Sequence, residues 1–313
     1  MLSEYTLANV KGVKKSFDNA AEADILKWKD TRLFNIVETT EWSEIFNSTE
    51  SMDGIIELSE NQTPPTCSLD EGYQVTLSPK RFGGAIEITE PDMMRAGDST
   101  VLIDQFIERK RNAVLRAARH KFLTDAFYMY NNAFNNSATT LAPDGVELCG
   151  THSWSTPGAA TWSNKATAVL SSTAIDALET YAGAFVDAKG QPMPLTFDTI
   201  VVKKGSANAR EAKKLFGMYG MKPTSVQDVN IYEGEYTLIE TPYITATNAN
   251  YWFALSLNSG FENPLYIGVH KMPSMNEPIR DKNESVFSSV TMFYKTGVNN
   301  MPINVYGSDG TVA

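Results

Sequence analysis

Residues 70–118 read DEGYQVTLSPKRFGGAIEITEPDMMRAGDSTVLIDQFIERKRNAVLRAA, and the interpretation of the whole chain starts from this stretch. Its first half holds two β-prone runs, YQVTLS and GGAIEIT, which predict two short strands. In its second half, apolar side chains recur at helical spacing, which predicts one long helix over about 99–134. At about 1.5 Å per residue this helix would be about 50 Å long, which is unusual for a chain of this size.

The charge of the chain is divided between two segments. The formal net charge is −10, yet residues 109–121 contain six lysines or arginines and no acid. Residues 33–79, called the acidic segment below, contain nine acids and neither lysine nor arginine. The chain outside the acidic segment is therefore close to neutral, with the helix as its positive pole. This balance argues against a free DNA-binding regulator.

The long helix is predicted to bury one face. Arg109, Arg116 and Arg119 fall on the arc opposite to the apolar one, and Lys110 and Lys121 interrupt the apolar arc. Lysine stems can cover apolar surface while the charged end reaches water, so both lysines fit a half-buried position. The apolar arc contains Ile103, Phe106, Ile107, Val114, Ala117 and Ala118.

Cysteine and hydropathy patterns are those of an ordinary folded protein. Cys67 and Cys149 lie far apart without a CxxC partner, which predicts free thiols rather than a disulfide framework. The first twenty residues lack an apolar core, so we expect no signal peptide. No window approaches about 18 apolar residues, so we expect no membrane span.

The segments before residue 90 predict an arm and a hairpin. Residues 1–32 are polar with a modest helical tendency, which predicts an arm containing one short helix. The runs DGIIEL (53–58) and YQVTLS (73–78), joined by a segment rich in turn residues, predict a two-stranded hairpin with an exposed tip. A polar two-stranded hairpin is marginal alone, so we expect it to lie on another surface.

The segments after the long helix predict an α+β unit and then a run of strands. Residues 135–165 are loop-like, and the chain is expected to end in a short Gly/Ser/Asp tail. Helices are predicted over 171–190 and 206–217, and strands over 197–204, 236–245, 251–257, 264–271, 285–300 and 303–308.

The sequence contains no catalytic constellation. It has none of the motifs of nucleotide-binding loops, α/β-hydrolases, zinc peptidases or kinases. Cys149 and His152 are three residues apart, but no second pair completes a metal site. An enzyme would have to use His152, Asp187 and Lys203 in loops. We therefore expect no enzyme, no metal and no cofactor.

The order of the parts resembles that of tailed-phage major capsid proteins with the Hong Kong 97-type fold. Residues 70–118 resemble the E-loop return strand and spine helix, and residues 250–310 resemble the last strands of that fold. Residues 151–202 are similar to Mu-like major head subunits in particular. The resemblance implies an α+β chain with an N-arm (1–49), an E-loop β-hairpin (50–90), a P-domain with the spine helix (91–165), an A-domain (166–260), and P-domain strands with a C-terminal tail (261–313).

This resemblance implies a function. The chain would self-assemble into hexamers and pentamers that form an icosahedral shell around phage double-stranded DNA, bound without sequence specificity. Its location would be the virion, after assembly in the host cytoplasm. Scaffold, portal and cement proteins are the further partners that the resemblance suggests, and no membrane is involved. The A-domain tip, about 205–235, would approach the symmetry axes.

The resemblance also suggests what the two charged segments contact. In the family the E-loop of one subunit lies across its neighbour, near the neighbour's spine helix. We therefore predict an inter-subunit contact between the acidic segment and the helix. The alternatives are that the arginines face packaged DNA, or that both segments are simply solvated. The predicted interface residues are Glu57, Glu60, Asp70, Glu71, Arg109, Arg116 and Arg119.

The sequence departs from some relatives in two ways, and it leaves rival functions open. Residues 53–79 contain no lysine, so the covalent Lys–Asn cross-link of some relatives is not expected. The chain reaches the arm at once, so we expect a separate scaffold protein or none. An encapsulin-like nanocompartment shell is the alternative within the fold. A tail or adhesion protein that uses its hairpin for β-augmentation is the alternative outside it.

Overall fold

The computed structural model shows a mixed α+β chain without cis peptide bonds in the part that it describes. The described residues are 2–29, 31–52, 57–58, 63–64, 69–96, 100–136, 138–193, 195–217, 232–258, 260–280 and 285–312.

The helices of the described residues are α1 (Leu2–Lys29), α2 (Glu90–Ala96), α3 (Thr100–Ala126), α4 (Tyr128–Asn131), α5 (Ser172–Ala184) and α6 (Ala207–Phe216).

The strands of the same residues are β1 (Asn35–Glu38), β2 (Glu44–Met52), β3 (Leu69–Leu77), β4 (Lys80–Ile88), β5 (Thr151–His152), β6 (Trp162–Ser163), β7 (Lys165–Ala168), β8 (Thr199–Lys203), β9 (Thr237–Thr241), β10 (Trp252–Leu255), β11 (Leu265–Met275), β12 (Ile279–Arg280), β13 (Val286–Val298) and β14 (Val305–Val312).

The chain forms two compact units, each built from three segments. Unit 1 comprises Met1–Glu44, Leu77–Ala126 and Tyr266–Thr296. Unit 2 comprises Ile45–Thr76, Phe127–Leu265 and Gly297–Ala313.

Unit 1 is built around a sheet with strand order β1-β11-β13-β12, in which β4 also pairs with β13. The β4–β13 pairing is antiparallel and runs from Lys80 opposite Tyr294 to Ile88 opposite Val286. Ile86 and Ile88 of β4 pack in one core cluster with Ile107 of α3, because alternate strand residues point to the same face.

Helix α1 corrects the prediction of one short helix in the first 32 residues. It is 28 residues long, and Val10, Phe17, Ala21 and Ile25 are buried along it. Spacings of four and seven residues place these side chains on one face, and the first three pack in the cluster that contains Ile107 of α3. The apolar stripe was present in the sequence, but the polar composition around it obscured it.

Helix α3 begins where the sequence predicted and ends early. It stops at Ala126, one turn residue follows, and α4 is a separate short helix. Ile107 and Ala118 of the predicted apolar arc are buried, whereas Ala117 is exposed. The predicted single helix over about 99–134 is therefore wrong at its C-terminal end.

Unit 2 is built around a second sheet with strand order β7-β14-β10-β8-β9. All four residues of β10 are buried, and the Trp252 indole N–H donates to the Ala168 carbonyl over 2.9 Å. Ser171 and Ser206 are the N-cap residues of α5 and α6, and their hydroxyls accept from backbone N–H groups three residues on.

The hairpin exists, but its first strand lies earlier than predicted. The strand β2 pairs with β3, and residues 57–58 of the predicted first strand are not in a strand. Within unit 2 the Tyr73 hydroxyl lies 3.2 Å from the Ser153 hydroxyl, so the hairpin has a contact inside its own chain. The prediction missed β2 because its sequence, EIFNSTESM, is polar and resembles a loop.

The expected C-terminal tail is also a strand. Strand β14 continues through Gly310 and Thr311, and it pairs in parallel with β7 at Ser308 opposite Ala166 and Val312 opposite Ala168. A buried sheet position outweighs the turn preference of the Gly/Ser/Asp composition here.

Candidate functional site

The basic residues of α3 divide into residues bound within unit 1 and exposed residues. Lys110 donates to the Glu87 carbonyl over 2.9 Å, and its ammonium group lies 4.9 Å from the centre of the Phe106 ring. Lys121 binds Asp125 over 2.6 Å. The charge of both lysines is therefore engaged by their own unit. Lys110 is half-buried, as the sequence suggested, whereas Lys121 is exposed.

The predicted interface arginines lie on the other face of α3, and we call Arg109, Arg116 and Arg119 the basic face. Arg109 and Arg116 are exposed, and Arg119 is half-buried. The Arg116 Nε donates to the Asn112 carbonyl over 3.3 Å, which leaves the end of its guanidinium group at the surface. Two cations seven residues apart thus point away from the core on one long helix.

A groove of about 640 Å³ runs beside the basic face within unit 1. Phe106, Arg109 and Val114 of α3 form one side of it, and Ile86 and Glu87 of β4 form the other. The groove combines apolar floor residues with a cationic rim, which suits an extended acidic segment better than a basic one.

The predicted acidic residues belong to unit 2. Glu57 is exposed, and Asp70 and Glu71 lie on β3, with their side chains outside the described part of the chain. Glu60 also lies outside the described residues, as do residues 218–231 of the predicted A-domain tip. The pairing of these acids with the basic face stays a prediction.

A buried ion pair at the root of the acidic segment was not predicted. Lys295 on β13 is 2% exposed, and its ammonium group lies 3.2 Å from the Glu44 carboxylate and 3.2 Å from the Glu41 carbonyl oxygen, to which it donates. The same carboxylate accepts from the hydroxyls of Tyr266, over 2.6 Å, and Thr39. One acid of the acidic segment is therefore neutralised inside its own chain.

The environment of Glu44 stabilises its charged form. Burial alone would raise the pKa of Glu44, but hydrogen bonds from Thr39, Tyr266 and Lys295 and the charge of Lys295 outweigh burial. The pKa of Glu44 is therefore lower than usual. Burial, together with the hydrogen bond to Glu44, raises the pKa of the Tyr266 hydroxyl, so Tyr266 stays a donor.

The backbone of the neighbouring strand makes room for Lys295. A Cβ atom on Gly268 of β11 would lie 2.6 Å from the Cε of Lys295. Because that distance is far below van der Waals contact, only glycine fits opposite the lysine stem. The sequence contains one indication of the Lys295–Glu44 pair. Lys295 lies within the apolar run of β13, where alternate residues are buried.

The residues of the hypothetical enzyme each serve a local structural contact. The His152 ring Nδ1 lies 2.8 Å from the Asp144 carboxylate, and both side chains are buried. Asp187 accepts from the backbone N–H groups of Lys189 and Gln191, and Lys203 donates to the Ile244 carbonyl over 2.6 Å. The polar atoms of these three side chains therefore stabilise loops and sheet edges.

The described residues contain neither a metal-binding cluster nor a membrane-spanning helix. No group of three or more His, Cys, Asp or Glu residues there has the arrangement of a metal site. Cys149 is a buried free thiol whose pKa is raised by burial. None of the helices in the described ranges combines the length and the apolar composition that crossing a membrane requires.

Comparison by sequence identifies no relative. No family model matches the chain, and no curated protein matches it.

Comparison by structure finds solved chains with a similar fold. A chain of Mycobacterium phage Patience matches with a TM-score of 0.53 and 13% identity, over 96% of this chain and 87% of that one. A chain from the asymmetric unit of the bacteriophage PhiM1 mature capsid matches with a TM-score of 0.51 and 12% identity, over 88% of this chain and 84% of that one. The chain therefore has the fold of phage capsid subunits, which confirms at the level of the fold its resemblance to tailed-phage major capsid proteins.

Proposed function

We propose that this chain is a major capsid subunit that assembles into hexamers and pentamers of an icosahedral shell around phage double-stranded DNA. The observation that carries this proposal is a fold shared over nearly the whole chain with a subunit of a mature phage capsid. In this proposal the five parts from N-arm to C-terminal strands keep the order inferred from the sequence.

The contact that holds neighbouring subunits in register would be electrostatic. Arg109 and Arg116 are exposed on α3, and Glu57 is exposed in the segment that follows β2. Because Glu44 already binds Lys295, the proposed contact uses acids beyond the root of the acidic segment. Complementary charges of this kind accelerate association and select the partner more than they add affinity, and salt screens them over about 8–10 Å.

The groove between β4 and α3 is the proposed receptor for the neighbour's hairpin. Its rim carries Arg109, and the Phe106 ring lies in its wall. In the described residues β4 has β13 as its strand partner. An extended acidic strand in the groove would meet a cation and an aromatic ring.

The alternative assigns the basic face to packaged DNA. Phosphate contacts by Arg109, Arg116 and Arg119 would add non-specific affinity that falls steeply with salt. The two assignments differ in one respect: an inter-subunit role affects assembly without DNA, whereas a DNA role does not.

The test of the proposed function is negative-stain electron microscopy of the full chain expressed alone, with size-exclusion chromatography at low and high salt. We expect closed shells, or free hexamers and pentamers. The proposal would be contradicted if the chain stayed a monomer of 34.5 kDa at every salt concentration, also when it is co-expressed with a scaffold protein.

A further inference from the structure

The β2–β3 hairpin has two unlike faces. The Gln74 side-chain amide donates to the Asn47 side-chain oxygen over 3.1 Å across the two strands, and both residues are exposed. Because alternate strand residues point to opposite faces, Phe46 and Ser48 of β2 share the other face with Tyr73 of β3. On this second face, called the inner face below, Ser48 is buried and the two aromatic residues are half-buried.

The inner face packs on the core of its own unit. Tyr73 lies against the core cluster of unit 2 that contains Trp154 and Trp162. The Tyr73 hydroxyl lies 3.2 Å from the Ser153 hydroxyl, and it donates to the Trp154 carbonyl over 3.5 Å. These contacts attach the hairpin to residues 153–154 within unit 2, and we call this arrangement the docked position.

The docked position is held weakly. Phe46, Tyr73 and Val75 are only half-buried, so part of their apolar surface stays in contact with water. Ser48 is 1% exposed, and its hydroxyl has no hydrogen-bond partner among the described residues. An unpaired buried hydroxyl is destabilising, and it regains hydrogen bonds to water when the hairpin detaches. Few buried apolar contacts are typical of segments that open locally.

A second surface of the fold suits the same inner face. The groove between β4 and α3 has Ile86, Phe106 and Val114 in its walls and Arg109 at its rim. The hairpin belongs to the acidic segment, which contains neither lysine nor arginine. An apolar face flanked by acids is complementary to an apolar groove with a cationic rim. One face cannot cover two surfaces at once, so a hairpin that enters the groove of a second copy has to leave the docked position.

We propose that the contact of Tyr73 with residues 153–154 is autoinhibitory, because it retains the hairpin on its own chain and delays its binding to the groove of a second copy. This inference rests on the proposed function, in which copies assemble through the hairpin. The apparent affinity between copies is then reduced by the fraction of chains whose hairpin is undocked. A variant that changes this fraction should change the concentration needed for assembly by the same factor.

Hydrogen exchange of the unassembled full chain tests the docked position. A two-stranded hairpin without a supporting surface is marginal, so undocking exposes its amides to exchange. Tyr73→Phe keeps the ring and removes the hydroxyl, and the amides of β2 and β3 should exchange about 2- to 12-fold faster, the factor expected for one hydrogen bond. Tyr232→Phe is the matched control, since its hydroxyl binds Asp176 of α5. It should leave hairpin exchange at the wild-type rate.

Ser48→Ala should act in the opposite direction. It removes the unpaired buried hydroxyl, so hairpin exchange should slow by about 5-fold or more, the lower limit for desolvation of such a group. Light scattering over a series of chain concentrations then gives the critical concentration for assembly. This concentration should fall about 2- to 12-fold in Tyr73→Phe, in proportion to the undocked fraction, and should rise in Ser48→Ala.

The outcomes separate this inference from the proposed function. Hairpin exchange at the wild-type rate in Tyr73→Phe would overturn the docked contact, whether or not shells form. Faster exchange with an unchanged or higher critical concentration would overturn the inhibition alone, since the shells would still support the proposed function. Assembly of Tyr73→Phe at concentrations where the wild type stays monomeric would support both. Absence of assembly in every variant and condition would overturn the proposed function and the inhibition together.

Discussion

Two cations of unit 1 differ in where their charge is balanced. Lys295 is buried between strands and is held by the Glu44 carboxylate and the Glu41 carbonyl. Arg109 is exposed on α3 at the rim of a groove. Both lie in the same unit and carry the same charge. The first is balanced inside one chain, whereas the second is free to interact with another molecule.

The difference distinguishes a charged residue that stabilises the fold from one that is available to another molecule. A buried ion pair is costly to break, because removal of one partner leaves an unsatisfied charge in the interior. An exposed cation adds little to the stability of its own chain. Variants at the two places should therefore affect different measurements.

The largest effect is expected for Lys295→Met. Methionine keeps much of the length of the lysine stem beside Gly268 but leaves the Glu44 carboxylate without its cation. We expect the free energy of unfolding to fall by about 3–5 kcal/mol, measured as the urea midpoint of the unassembled chain. Lys271→Met is the control, because Lys271 is only half-buried and binds the Thr291 hydroxyl. Equal losses in the two variants would contradict the comparison.

A smaller effect is expected for a buried polar residue without charge. The two N–H groups of the Asn164 side-chain amide donate to the carbonyls of Leu148 and Val305, each over 2.9 Å, and one of them is shared with the Pro302 carbonyl at 3.3 Å. The amide oxygen accepts from the Gly150 N–H over 2.9 Å. Asn164→Ala leaves these groups unpaired, so unfolding free energy should fall by about 2–3 kcal/mol. A loss larger than that of Lys295→Met would show that hydrogen-bond number outweighs charge.

Acidification should isolate the contribution of the Lys295–Glu44 pair to the free energy of unfolding. The pKa of Glu44 is lowered in the folded chain, so its contribution is present above its unfolded value of about 4.3 and is lost as pH falls through the folded value. Urea unfolding of wild type and Glu44→Gln should show a stability difference at pH 7 that shrinks below about pH 4. A difference that is constant from pH 7 to pH 3 would argue that the Glu44 charge has no role.

The smallest effect on stability is expected at the basic face. Arg109→Ala together with Arg116→Ala should change the free energy of unfolding by less than about 0.5 kcal/mol per site, because neither guanidinium end is buried. Thermal and urea unfolding of the unassembled chain provide the measurement. A loss comparable to that of Asn164→Ala would mean that the arginines serve the fold, and the comparison would fail.

Much of the fold could be predicted from local patterns. The strand β8, the helices α5 and α6, and the start of α3 lie where the sequence predicted them. The first strand of the hairpin was misplaced, because the polar run of β2 resembles a loop until β3 pairs with it. Helix α1 was underestimated for a related reason: its apolar stripe is sparse, and only packing in the α3 cluster gives it length.

The candidate sites were harder to predict than the fold. The exposed position of Arg109 and Arg116 follows from helical periodicity alone. The Lys295–Glu44 pair joins residues about 250 positions apart in the sequence. Contacts of that kind depend on sheet order and register, which a single sequence does not specify.

The measurement that tests the central claim most directly is assembly of charge-reversed chains in the absence of DNA, followed by light scattering and electron microscopy at several salt concentrations. The chain with Arg109→Glu and Arg116→Glu should lose assembly at low salt, and Lys27→Glu with Lys29→Glu, which changes net charge equally, should not. Adding Glu57→Arg and Asp70→Arg to the first variant should restore shells. Assembly of the reversed chain with the yield and salt dependence of wild type would contradict the account.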